Sequence, residues 1–157
     1  MNAGMDDLYR EVILDHHRNP RCCGALDEPD AVAAGRNPSC GDEVTLQLDL
    51  DGEKIAGISV QSAGCAIATA SGSILGEVVE GLTLDEAIRL ASSFREVMHS
   101  DDGVLPDEPD PGDLEVLTGV RKFPVRVKCA LLPWITLLEA ATARAQGRTP
   151  GETTTEV

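Results

Sequence analysis

The spacing of apolar positions changes period several times along the chain. From about Asp7 to His17, Leu8, Val12 and Ile13 fall on one face of a helix, Asp6 can cap its first turn, and Asn19-Pro20 ends it. A loop with Cys22, Cys23 and Gly24 follows, and Ala31 to Ala34 reads as a short strand. Val44, Leu46, Leu48 and Leu50 then alternate with Thr45, Gln47 and Asp49, which predicts a half-buried strand. Asp51-Gly52 is a hairpin signal, and Ile58 and Val60 alternate with Ser59 and Gln61 in the returning strand. At Gly64 the pattern turns helical and runs from Cys65 to about Glu80, with Gly81 suited to the C′ position. Thr83-Leu84-Asp85-Glu86 matches a capping box opening a helix to about Met98. Pro124 can start a last helix reaching about Ala145, and Pro133 inside it predicts a kink or a split.

Composition and charge narrow the possibilities. The 157 residues predict one domain over 1–145, with a polar tail, 146–157, expected to be disordered. Hydrophobic residues make up 42%, enough for a core, and with aromatics at 3% that core must be built from Val, Leu, Ile and Ala. The net charge of −14 argues against nucleic-acid binding and suits a partner with a basic surface. Eight of the acids, and no base, lie between residues 96 and 115, an expected exposed loop with a helical turn near Leu114–Leu117. The sign then reverses at Arg121, Lys122, Arg126 and Lys128. The longest uncharged stretch, Ile55 to Gly76, is rich in Gly and Ser and changes period partway, so no membrane span is expected. Residues 1–20 lack a basic leader and an apolar run, which predicts a cytoplasmic protein. The five cysteines there favour free thiols, metal ligands or a nucleophile over disulfides.

Three cysteines sit where local structure would expose or activate a thiol. Cys40 lies in a turn before the first clear strand, Cys65 at a strand-to-helix junction, and Cys129 early in the last helix. The free N–H groups and partial positive charge of a helix N-terminus favour the Cys65 thiolate. Asp42 completes a possible four-ligand set, because Gly41 can take the positive φ that turns Cys40 and Asp42 to one side. Three thiolates and a carboxylate suit tetrahedral Zn²⁺ and leave a net negative charge. Arg126, one helical turn before Cys129, is the cation expected beside the site, and Lys128 is the weaker candidate. There is no CxxC pair, and the same cysteines could equally pack as small buried hydrophobes. His16 and His17 read as helix-end residues that cap or pack at the surface, His99 as solvated, and Cys22 and Cys23 as two thiols in a turn.

Five segments together resemble a known family. They are Leu8 to His16 (LYREVILDH) with Asn19-Pro20-Arg21, Asn37-Pro38-Ser39-Cys40-Gly41-Asp42, Gly64-Cys65-Ala66-Ile67-Ala68-Thr69-Ala70-Ser71, Arg126 to Ala130 (RVKCA), and Trp134. In this order the chain resembles the SufU type, the zinc-dependent sulfur-relay branch of the IscU-like iron–sulfur cluster assembly proteins. The resemblance covers about residues 5–145. It implies an α+β fold with a small three-stranded antiparallel sheet packed by helices. It also implies one zinc ion on Cys40, Asp42, Cys65 and Cys129. The implied activity is that of a zinc-dependent sulfurtransferase. Cys40 takes sulfane sulfur from a SufS-type cysteine desulfurase, a donor side chain of which replaces it at the metal, and downstream Suf scaffold proteins receive the sulfur. The other branch of the family implies a scaffold for iron as a [2Fe–2S] cluster on the same residues. Lys128 stands where scaffolds carry His, and His99 to about Val120 looks like the insertion of the relay branch; both favour relay.

Overall fold

The computed structural model describes residues 3–147, 151 and 153–154. The chain runs through α1 (Ala3–Arg18), β1 (Ala31–Asn37), β2 (Asp42–Asp51), β3 (Lys54–Ala63), α2 (Ala66–Val79), α3 (Leu84–Met98), a short α4 (Leu114–Leu117), a 3₁₀ segment Thr118–Lys122, and α5 (Pro124–Ala145). Three strands form an antiparallel sheet in the order β3-β2-β1, with Ala33 opposite Leu46 and Leu46 opposite Val60. The architecture is therefore the expected α+β one.

One face of the sheet carries Ala33, Val44, Leu46, Leu48, Ile58 and Val60 into the core, where α2 and α5 pack on it. Phe94 and Trp134 meet in a tilted pair, 5.5 Å between centroids, and anchor α3 to α5. The free edge of β3 is covered rather than exposed: Val60 N–H donates to Cys22 O at 2.7 Å, and Ile55 N–H to Leu82 O at 2.8 Å. Ser59, expected on the polar face, is fully buried.

Four further expectations are corrected. Helix α1 begins at Ala3, so Asp6 lies within it and not at its cap. Leu8 is 45% exposed although it shares the apolar stripe with the buried Ile13. Pro133 neither splits nor ends α5, which is one helix of 22 residues. Around the proline, Ser71 Oγ donates to Ala130 O at 2.6 Å and Thr136 Oγ to Leu132 O at 2.8 Å. Ser71 thus ties α2 to α5 one residue from Cys129 O, the carbonyl that the missing Pro133 N–H leaves without its i+4 donor. Finally, β1 extends three residues beyond Ala34 to Asn37, because β2 offers partners along that length.

The disordered tail expected for 146–157 falls partly outside the described residues. Of those described, Thr153–Thr154 (β4) pairs parallel to β1 at Gly35 and Arg36, and Gly151 N–H donates to Glu139 Oε2 at 2.6 Å. No helix among the described residues is long and apolar enough to cross a membrane.

Candidate metal centre

The β1–β2 hairpin builds the first half of the site. Asn37 and Asp42 are paired, and the four residues between them reverse the chain. Asn37 O accepts from both Cys40 N–H at 3.2 Å and Gly41 N–H at 2.9 Å. Gly41 takes φ +74°, as the tight turn requires. Cys40 is exposed at the tip, whereas Asp42, the first residue of β2, is fully buried.

Helices α2 and α5 supply the other half. Cys65 is the N-cap of α2; its Sγ accepts from Ala68 N–H at 3.4 Å. Its own N–H donates to Asp42 Oδ1 at 2.8 Å, and its Sγ lies 3.6 Å from Asp42 Oδ2. Cys129 is buried in the second turn of α5, with Sγ 3.6 Å from Cys40 Sγ. Donor atoms of Cys40, Asp42 and Cys129 all lie within 4.8 Å of one another. The fold thus brings Cys40, Asp42 and Cys129 together across 89 positions of chain, while Cys65 touches Asp42 and lies outside that mutual group.

Close approach at this point requires a residue without a Cβ. Gly64 has φ +142°, and a Cβ there would meet Asp42 Oδ1 at 2.1 Å and Asp42 Cα at 2.8 Å. The glycine lets the β3–α2 junction press Cys65 against the carboxylate.

The electrostatics of the cluster suit a cation. Burial pushes the Cys129 thiol far up, and hydrogen bonds to Asp42, Cys65 and Cys40 push it further. Among the described residues, no buried cationic side chain balances the fully buried carboxylate of Asp42. A divalent ion taking thiolate and carboxylate ligands would relieve both penalties, so the donor set fits zinc. Arg126 is exposed, and its hydrogen bond to Cys129 and the charges of Cys65 and Cys40 hold its guanidinium more firmly protonated. It occupies the place expected of the neighbouring cation; Lys128 is exposed on the same turn.

Asn37 belongs to the site and has no role in the sequence reading. It is fully buried, its Nδ2 donates to Cys129 Sγ at 3.7 Å, and its Oδ1 has no partner among the described residues. The signal for it was parity: Ala33, Gly35 and Asn37 all point inward along β1. His16 was read as a surface or capping residue and is instead fully buried. Its Nε2 contacts Asp113 Oδ2 at 2.8 Å and its Nδ1 contacts Ser73 Oγ at 2.7 Å, tying the acidic segment to α1 and α2. A carboxylate can only accept, so Nε2 carries the proton. His17 and His99 are exposed.

Comparison with known proteins fits this geometry. Residues 8–130 match the NifU-like N-terminal domain. The chain is 38% identical to the zinc-dependent sulfurtransferase SufU of Bacillus subtilis, over 93% of this chain and 97% of that one. It is 39% identical to the iron–sulfur cluster assembly scaffold protein IscU of Streptococcus pyogenes, over 87% and 84%. A crystal structure from Fervidobacterium islandicum, of a protein described as an iron–sulfur cluster assembly scaffold for the SUF system, superposes with a TM-score of 0.76 at 36% identity, covering 83% of this chain and 94% of that one. The chain belongs to the NifU-like N-terminal domain family and, with SufU and IscU proteins as its relatives, to the proteins of iron–sulfur cluster assembly.

Proposed function

We propose that this chain is a zinc-dependent sulfur acceptor of the cytoplasm. On this reading Cys40 takes sulfane sulfur from a SufS-type cysteine desulfurase and hands it on to Suf scaffold proteins. Cys40, Asp42, Cys65 and Cys129 would hold the zinc ion. The observation that carries the reading is the unequal placement of the three thiols. Cys40 is exposed on a four-residue turn, while Cys65 caps a helix and Cys129 is buried inside one.

When bound, zinc supplies a divalent charge that keeps the thiols ionised and brings no redox chemistry of its own. Cys40 can swing outward about Pro38 and Gly41 without moving a packed element. Its thiolate attacks the outer sulfur of the donor persulfide; a sulfur–sulfur bond forms at Cys40 as the donor's bond breaks, and the donor leaves as a thiolate. No net oxidation or reduction occurs. Asp42, Cys65 and Cys129 stay in place, and Arg126 offsets the negative charge as the donor thiolate departs.

The test is peptide mass spectrometry after reaction with desulfurase and cysteine. A gain of one sulfur, about 32 Da, is expected on the peptide containing Cys40. The Cys40→Ser variant should fold and fail to accelerate the desulfurase. Sulfur appearing on Cys65 or Cys129 with Cys40 unmodified would refute the assignment of roles. The scaffold names of two relatives favour a second reading, in which the same residues carry a [2Fe–2S] cluster. Iron in place of zinc in freshly isolated protein, with a visible absorption band, would select that reading.

A further inference from the structure

A groove lies between α1 and the segment that joins α4 to α5. Its cavity measures about 520 Å³, within the size range that buries several side chains. Leu8, Tyr9 and Leu14 form one wall, and Val116 and Phe123 form the other. These apolar groups are not sealed: Leu8 is 45%, Leu14 37% and Phe123 52% exposed. Gly119 makes the floor, where a Cβ would stand 3.0 Å from the Tyr9 ring.

The charge around the groove is opposite to that of the chain. Among the described residues, Arg10, Arg121 and Lys122 line it with one acid, Glu115, in a molecule of net charge −14. Arg121 donates to the backbone carbonyls of Gly103 and Val97 rather than to a carboxylate. The groove reaches Phe123, the N-cap of the helix that carries Cys129. Phe123 is six residues before Cys129, about 9 Å along the axis of α5 at 1.5 Å per residue. The charge of Arg126 acts on Tyr9 at one end and on Cys129, Cys65 and Cys40 at the other.

We propose that this groove receives an extended segment of the sulfur-donor protein, with apolar side chains flanked by carboxylates, and so fixes the donor persulfide beside Cys40. The proposal rests on the sulfur-acceptor reading above. A second copy of this chain is the poorer occupant, because an isologous contact would set cationic groove against cationic groove between two bodies of charge −14. The occupant's carboxylates would meet Arg10 and Lys122, and its apolar side chains would fill the space between Leu8 and Phe123.

Leu8→Asp and Arg10→Glu test this, both at exposed positions of α1, with Val104→Asp at an 82% exposed site outside the groove as the control. Calorimetry measures the affinity of each zinc-loaded chain for the desulfurase. Persulfide formation on Cys40 is measured separately with inorganic polysulfide, which needs no docking. Leu8→Asp and Arg10→Glu should each weaken desulfurase binding on the order of tenfold, the scale of one interface residue. Both should react with polysulfide as the parent chain does, and Val104→Asp should match the parent in both assays. Unchanged binding by both groove variants would overturn the groove while leaving the acceptor reading intact. A parent chain that neither binds the desulfurase nor takes its sulfur would overturn both. A parent dimer that Leu8→Asp converts to monomer would overturn the assigned occupant in favour of a second copy.

Discussion

Cys65 caps the N-terminal end of α2, and Cys22 packs against the C-terminal half of the same helix. A glycine permits a close approach beside each. A Cβ on Gly64 would strike Asp42, and one on Gly76 would stand 2.7 Å from Cys22 Cβ. The electrostatics are opposed. Cys65 receives a backbone N–H from the first turn, where the helix offers unpaired donors and partial positive charge. Cys22 sits in the left-handed conformation at φ +55°, and its thiol is pushed up by burial first and then by Glu80, Glu77 and Cys23. The two cysteines therefore meet opposite ends of one helix. Cys22 and Cys23 have no place in the cluster of Cys40, Asp42 and Cys129.

The contrast breaks most sharply at the two glycines. Gly64→Ala forces a Cβ into the Asp42 carboxylate and backbone at a φ that side chains rarely adopt. It should cost on the order of 3 kcal/mol and release the metal. Thermal melts and elemental analysis check the two parts, and full zinc content in a stable Gly64→Ala protein would show that the close approach is unnecessary. Asp42→Ala comes next. Loss of a group that merely orients a ligand costs about 10–100-fold in metal affinity, and a ligand should cost at least that. Competition with a chelator measures it, and undiminished affinity would remove Asp42 from the ligand set. Gly76→Ala should cost on the order of 2 kcal/mol, because its Cβ must displace Cys22 Cβ in a loop that Val60 N–H holds at Cys22 O; its zinc content should stay at the parent level.

How much of this was legible in the sequence depends on whether an interaction is local. The alternation of Val44, Leu46 and Leu48, the capping box at Thr83 and Glu86, and Pro124 at the start of α5 are decided within a few residues, and each element stands where the pattern put it. The continuity of α5 through Pro133 is not a local matter: the helix is packed there by Ser71, which reaches across from α2. His16 was misjudged because its partners, Ser73 and Asp113, are 57 and 97 residues away. The site divides the same way. The turn holding Cys40 and Asp42, the helix-cap position of Cys65 and the nearness of Arg126 to Cys129 follow from local spacing. Their meeting does not: it depends on Gly64 admitting Asp42, and on Asn37 facing inward to meet Cys129.

The Cys22–Cys23 pair gives the smallest expected effect and the finest test of the contrast. The double change Cys22→Ser with Cys23→Ser removes one half-buried and one exposed thiol, neither near the cluster. Stability should move by less than about 1 kcal/mol, and zinc content and sulfur acceptance should be unchanged. Titration in the parent chain sharpens the same point. Because the Cys22 thiol is raised, its reactive thiolate is scarce at neutral pH and appears only as the pH rises past the ordinary cysteine range of about 8.5. Iodoacetamide labelling of the zinc-loaded protein, followed by peptide mass spectrometry from pH 6 to about 10, should place the midpoint for Cys22 above that range. The carboxylates of Glu77 and Glu80 are the part of this shift that mutation can remove. Glu80→Gln should therefore move the Cys22 midpoint downward while leaving zinc untouched. A midpoint already below the ordinary range in the parent chain would mean that the two ends of α2 do not differ in the way argued here.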